Sequence, residues 1–119
     1  MTLVELLQVL EKNKTIENAD LSGQDLSNQD FSHAQFLNCS FKGAKLRNTK
    51  LTHTSLRGCN FSNADLRGAD LQRADLYNAD FTGAKLRRAN FTDSNRIGTK
   101  INKWAMKGTY IAGPTAYVD

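Results

Sequence analysis

Two histidines, His33 and His53, two cysteines, Cys39 and Cys59, and three arginines, Arg47, Arg67 and Arg87, each recur at an interval of twenty residues. Imidazoles and thiols are metal ligands, and a thiol pair can also form a disulfide. Two imidazoles with no third carboxylate or thiol beside them make no such site, and Arg73, next in the same series, opposes a cation. The expectation is two exposed turn histidines, two buried reduced thiols in place of alanine, and no metal or other cofactor. Arginines in a column repel one another unless a carboxylate or a bound anion screens them. The series Ser27, Arg47, Arg67 and Arg87, with Arg88 adjoining, therefore marks a surface for an acidic partner or a phosphate backbone. Beside it, Asp25, Lys45, Asp65 and Lys85 alternate in sign, as a solvated face does. A third series, Leu37, Arg57, Tyr77 and Ile97, combines apolar, aromatic and guanidinium groups. That mixture suits a protein interface or a face covered by the C-terminal tail. No nucleophile, base and orienter can be assembled, and no glycine-rich phosphate loop joins a strand to a helix. The chain is not expected to be an enzyme.

What would align residues at this interval is visible in a shorter one. Leu or Phe recurs every five residues, without a slip, from Leu21 through Phe31, Phe41, Leu51, Phe61, Leu71 and Phe81 to Phe91. All six phenylalanines lie in this register. Two residues before each centre the side chain is small in most repeats, as at Ala34, Cys39, Ala44, Thr49, Thr54 and Ala64, with Gln24 and Gln29 as large exceptions. A helix turns about 100° per residue, so such centres would walk around its surface. A straight strand alternates faces, so every second centre would meet water. The conflict disappears if each five-residue unit is a short strand piece followed by a corner. The small residue and the centre then both point inward. Gly23, Gly43, Gly58, Gly68 and Gly83, with Asn28, Asn38, Asn48, Asn63 and Asn78, fall at the corner and tolerate its dihedrals. The twenty-residue series suggest four such units per coil, although a ten-residue echo is also present.

ADLRG (64–68), ADLQR (69–73), ADLYN (74–78), ADFTG (79–83), AKLRR (84–88) and ANFTD (89–93) resemble the A(D/N)LxX motif of the pentapeptide-repeat family. The resemblance covers about residues 19–93. It implies an all-β solenoid, a right-handed quadrilateral β-helix of about four coils, with an N-terminal α-helical cap and a short C-terminal cap. Gln24 and Gln29 depart from the motif, so a local distortion of the first coil is expected.

Solenoid ends need covering, because open edges pair with other chains. Thr2 and Glu5 form a capping-box pattern, and Leu3, Leu6, Leu7 and Leu10 share a helical face. A helix over residues 2–12 should lie on the first coil, joined to it by Ile16. The expected division is an N-terminal cap at 1–18, the β-helix at 19–95 and a C-terminal cap or tail at 96–119. Arg96 stands where a Leu centre is due and is expected to end the repeat. Ile101 is an isolated further centre, and Thr99 to Lys107 should form a short helix stopped by Gly108. Trp104, Met106, Tyr110, Ile111, Tyr117 and Val118 follow as cap residues or a dimer contact. The chain is thus expected to be a monomer or a homodimer through its C-terminal segment.

The chain has 119 residues, a net charge of +4 and a single proline, Pro114, in keeping with one folded domain. Its charge is banded: residues 1–40 hold six acids against two lysines, whereas residues 41–60 hold five basic residues and no acid. No apolar run reaches membrane-spanning length, and no secretory signal is recognised. A cytoplasmic setting, without membrane contact, is the expectation. Among functions, a non-catalytic protein-interaction module comes first, binding another protein with an acidic surface through a flat charged wall. The family resemblance implies an alternative, mimicry of DNA toward gyrase or topoisomerase. Mimicry needs long acidic walls. Here Asp20, Ser40, Asn60 and Asp80 form one broken series, and Asp30, Lys50, Asp70 and Asn90 another. Anion or nucleic-acid binding through the arginines is the remaining alternative.

Overall fold

The computed structural model describes residues 1–112. The expectations for Pro114, Tyr117 and Val118 lie outside the described residues. From Thr15 onward the chain winds into stacked coils held by four ladders of parallel bridges. One runs Thr15, Gln35, Ser55, Asp75, Asn95, and the next Asp20, Ser40, Asn60, Asp80, Lys100. The third runs Asp25, Lys45, Asp65, Lys85, and the fourth Asp30, Lys50, Asp70, Asn90, Tyr110. Each partner lies twenty residues on, so a coil has four five-residue sides. Among the described residues, only β1 (Thr15–Glu17) and β2 (Gln35–Leu37) pair over three residues. Elsewhere each side bridges its neighbour at a single residue before the corner.

The corners follow from hydrogen bonding. At most corners the N–H of the small residue donates back to the carbonyl of the preceding centre, as Ala44 does to Phe41 at 2.9 Å and Ala64 to Phe61 at 3.0 Å. Between them, the residue two past the centre takes positive φ, the pattern of a type II turn: Gly43 at 66° and Asn63 at 60°. His33, His53, Arg73, Arg88 and Asp93 adopt the same left-handed conformation at their corners. The D/N of the motif has its own cause. Its side-chain oxygen accepts the N–H two residues on: Ser22 to Asp20 at 3.0 Å, Arg67 to Asp65 at 3.2 Å, Thr92 to Asn90 at 3.0 Å. This Asx arrangement braces the approach to the corner.

Inside, the Leu and Phe centres and the small residues between them form one continuous core. Phe41, Phe61 and Phe81 stack at 4.8 Å with planes within 4° of parallel, the inter-coil spacing itself. Burying each centre contributes roughly 1.5–3 kcal/mol before chain entropy is subtracted. Threonine replaces alanine at small positions where its hydroxyl finds a carbonyl, as Thr49 does at Leu26 (2.8 Å) and Thr54 at Leu51 (2.7 Å). Gln24 and Gln29 are half-buried, and the departure at them is confined to the corners: the Gln24 N–H reaches the Leu21 carbonyl at 3.3 Å and the Gln29 N–H makes no such bond. Their carbonyls accept from Lys45 and Lys50 at 2.9 Å, in step with the ladder.

α1 (Leu3–Lys12) lies at the N-terminal end, with Thr2 and Glu5 forming the reciprocal capping box. Leu6 is fully buried and Leu3 and Leu10 pack beside it, but Leu7 is 42% exposed. The expected four-leucine face is thus corrected to three. Leu7 lies at the margin of the stripe, turned from Leu6 by about 100°. At the other end, the ladder does not stop with the Leu/Phe register. Arg96 occupies its inward position at 2% exposure, and Thr99 is buried behind it, with its hydroxyl on the Leu76 carbonyl at 2.8 Å. Bridges continue to Lys100 and Tyr110, so the ladders exceed the expected four coils. The long stem of Arg96 can fill a position that leucine fills elsewhere. The helix expected over 99–107 is one 3-10 turn, Lys103–Met106, started by the Asn102 side chain accepting the Trp104 N–H at 2.8 Å.

Candidate functional site: the charged wall

Aspartate or asparagine at the bridging position is consumed in bracing its own corner. Where the repeat places lysine there instead, that acceptor is lost and a cation projects. This happens at Lys45 and Lys85 on one ladder, at Lys50 on another and at Lys100 on a third. The ladder of Lys45 and Lys85 also carries Arg47, Arg67 and Arg87 two residues past each bridge. Five cations thus stand against two carboxylates, Asp25 and Asp65, on one wall.

The structure places these arginines unequally. Arg47 Nε donates to Asp65 Oδ2 at 2.7 Å from the preceding coil. Arg67 reaches the same carboxylate from its own repeat, Nε to Oδ1 at 2.9 Å and a terminal nitrogen to Oδ2 at 2.7 Å. Asp65 therefore screens two members of the column, one of the two ways of relieving their repulsion that the sequence left open. Arg87 and Arg88 are exposed, and neither has an ion pair among the described residues. Positive charge is concentrated toward the C-terminal end of the wall.

The Leu37 series is brought together on another wall, although Leu37 itself is half-buried rather than exposed. Arg57 lies over the Tyr77 ring at 4.7 Å and pairs with Asp75 at 2.9 Å. Its charge is engaged from both sides. Tyr77 and Ile97 are each 39% exposed. His33 and His53 stack at 4.8 Å in the corner column, exposed, and Arg73 pairs loosely with Asp93 at 3.9 Å one coil further on. Among the described residues, no three His, Cys, Asp or Glu side chains are grouped so as to hold a metal ion. Cys39 and Cys59 are buried and form no disulfide. Their thiols donate to the Ile16 carbonyl at 3.5 Å and the Phe36 carbonyl at 3.2 Å. The neighbouring Cys39 thiol, then burial, push the Cys59 thiol up from its ordinary value.

The sequence series named every member of the charged wall but not the hydrogen bonds that Asp65 accepts from both Arg47 and Arg67, which depend on side-chain reach. A family model for pentapeptide repeats matches in eight copies, over residues 16–52, 46–83 and 54–93. The chain belongs to the pentapeptide-repeat family. Solved pentapeptide-repeat structures share its fold. Rfr23 from the cyanobacterium Cyanothece 51142 is 22% identical with a TM-score of 0.64, over 98% of this chain and 100% of its own. HetL, involved in heterocyst differentiation regulation in the cyanobacterium Nostoc sp. strain PCC 7120, is 28% identical with a TM-score of 0.66. That match covers 92% of this chain but only 46% of HetL, so the chain spans less than half of that relative. QnrB1, a plasmid-mediated fluoroquinolone resistance protein, is 20% identical with a TM-score of 0.53, over 82% of this chain and 63% of its own. No curated protein matches the sequence. Among the described residues of this pentapeptide-repeat protein, no helix is long and apolar enough to cross a membrane.

Proposed function

We propose that the chain is a non-catalytic interaction module, a right-handed four-sided rod that presents its charged wall to an acidic surface of another protein. The observation that carries this reading is the excess of cation along one ladder, Lys45, Arg47, Arg67, Lys85 and Arg87 against Asp25 and Asp65. A stacked solenoid holds these groups at fixed intervals, so a partner meets a preorganised pattern with little ordering cost. HetL, a regulatory protein by its description, supports a role in regulatory contact. Mimicry of DNA toward gyrase is not favoured, because every ladder interrupts its acids. Asp20 and Asp80 are separated by Ser40 and Asn60, and Asp30 and Asp70 by Lys50.

The test is affinity capture from nuclease-treated lysate, comparing the native chain with an Arg47→Glu, Arg67→Glu, Arg87→Glu variant and a Tyr77→Ala control. The expected result is a protein retained by the native chain and the control but lost from the charge-reversed variant. Equal retention by all three would overturn the reading. Retention seen in a parallel untreated lysate and absent from the nuclease-treated one would replace it with nucleic-acid binding.

A further inference from the structure

Backbone hydrogen bonding breaks at one point of the charged wall. Of the fifteen inward centres from Leu21 to Phe91, fourteen donate their N–H to the next coil: Leu66 to Lys85 at 2.8 Å, Phe81 to Lys100 and Phe91 to Tyr110 at 2.7 Å. Leu86 alone, among the described residues, makes no such bond. The ladder Asp25, Lys45, Asp65, Lys85 likewise ends at Lys85, although the ladders on either side continue to Lys100 and Tyr110. The residue due to bridge Lys85, twenty positions on, is Ala105. It sits instead in the 3-10 turn Lys103–Met106. That turn replaces one side of the last coil and leaves a rung unfilled.

A cleft of about 540 Å³ occupies this place, lined by Arg67, Ala84, Lys85, Leu86, Arg87, Trp104, Ala105, Lys107 and Gly108. Its chemistry is mixed in a particular way. Alanines, Gly108 and the stems of the long side chains supply apolar surface, and the Trp104 indole is 82% exposed. Lys85, Arg87 and Lys107 are exposed cations with no ion pair among the described residues. The Leu86 N–H adds a backbone donor without a backbone acceptor. An unfilled rung beside cations and an apolar wall fits an extended chain segment, whose carbonyl takes the donor and whose side chains take the rest.

We propose that this cleft docks an acidic peptide segment of the partner, with carboxylates at Lys85, Arg87 and Lys107 and an aromatic or aliphatic side chain against Trp104. The inference rests on the interaction reading above and locates its specific contact. A short acidic segment is favoured over single-stranded nucleic acid for two reasons. Asp65 already engages Arg47 and Arg67, so the unpaired cations form an isolated cluster and not a track for successive phosphates. The lining also offers one stacking ring, where a strand of bases uses several.

Trp104 is the single tryptophan of the chain, so its fluorescence reports this cleft without labelling. The probes are a blocked hexapeptide of alternating glutamate and phenylalanine, its lysine-for-glutamate counterpart, and a thymidine hexanucleotide. The expected result is a saturable shift of the indole emission with the acidic peptide and none with the lysine counterpart. An Arg87→Glu, Lys107→Glu variant should bind at least about tenfold more weakly, the loss of one or two close charge pairs. Arg57→Glu, on another wall, should bind as the native chain does. Absence of a saturable shift, equal weakening by Arg57→Glu, or tighter binding of the oligonucleotide would each overturn the proposal. If the peptide fails while the arginine-wall variant still loses its captured partner, only the cleft assignment falls. If capture is also unaffected, the interaction reading falls with it.

Discussion

Arg47 donates to Asp65 across the gap between two coils, 2.7 Å from nitrogen to oxygen, and Arg67 holds the same carboxylate from the other side. One aspartate thus sets how much positive charge the wall offers. Asp65→Asn keeps an oxygen to accept the Arg67 N–H, so the corner should survive. The two arginines would be released to a partner. The expected stability change is below about 1 kcal/mol, because the pairs are partly exposed to solvent. Acidic-peptide affinity should rise. Urea unfolding and the Trp104 titration measure the two effects, and an affinity that falls would contradict the screening role.

Corner positions are not equivalent from coil to coil. A Cβ added to Gly68 would collide with the Asn48 side-chain oxygen of the preceding coil, whereas one added to Gly43 meets nothing. Both glycines have positive φ, at 73° and 66°. Gly43→Ala should cost about 1–2 kcal/mol, the strain of a left-handed L-residue. Gly68→Ala should cost more, and the excess should disappear in an Asn48→Gly background. Denaturant midpoints of the four variants check this. Equal losses for Gly43→Ala and Gly68→Ala would show that Asn48 simply moves aside.

Acid should weaken the fold through the Asx bonds. Hydrogen bonds from the hydroxyl and then the N–H of Ser22, Ser32 and Thr82 hold Asp20, Asp30 and Asp80 below the usual carboxylate range. At Asp25 the N–H of Ser27 contributes most, and its hydroxyl next. A folded-state value below the unfolded one means that the ionised form favours the fold. That contribution is complete above the unfolded value, about 4, and is lost as pH falls through the lower folded values. Melting temperature should therefore change little from these groups between pH 7 and 5 and fall toward pH 2. A melting temperature that rises on acidification below pH 4 would contradict the Asx assignment.

Neither thiol should be reactive in the native protein. Cys39 and Cys59 are at most 1% exposed, so neither sulfur is within reach of a reagent, even though the Cys59 thiol holds Cys39 down to about 7. Ellman's reagent at pH 8 should label neither within minutes and both after unfolding. Rapid labelling of one thiol in the native protein would contradict the packing.

Most of the interior was legible because five-residue spacing of Leu and Phe has one compact solution. The capping box of Thr2 and Glu5 is likewise a local pattern and appears as expected. Arg96 was misread as an end because charge normally excludes a residue from a core, yet the coil geometry persists through Thr99 and Lys100. Polarity patterns cannot register that an aliphatic stem fills the position. The paired state of Arg47 and Arg67 was hidden for another reason. Column membership follows from spacing, but the choice of carboxylate follows from side-chain reach. The cleft at Leu86 depends on a missing bridge to Ala105, and a sequence shows only that the alanine is there.

The wall that meets the partner can be identified by placing a photo-crosslinking residue at single positions. Lys45 and Lys85 lie on the charged ladder, while Lys42 and Tyr77 lie on other walls. Irradiation in lysate should join one and the same protein to the chain from positions 45 and 85, and not from 42 or 77. Crosslinks to a common protein from 42 or 77, with none from 45 or 85, would contradict the charged wall as the binding surface.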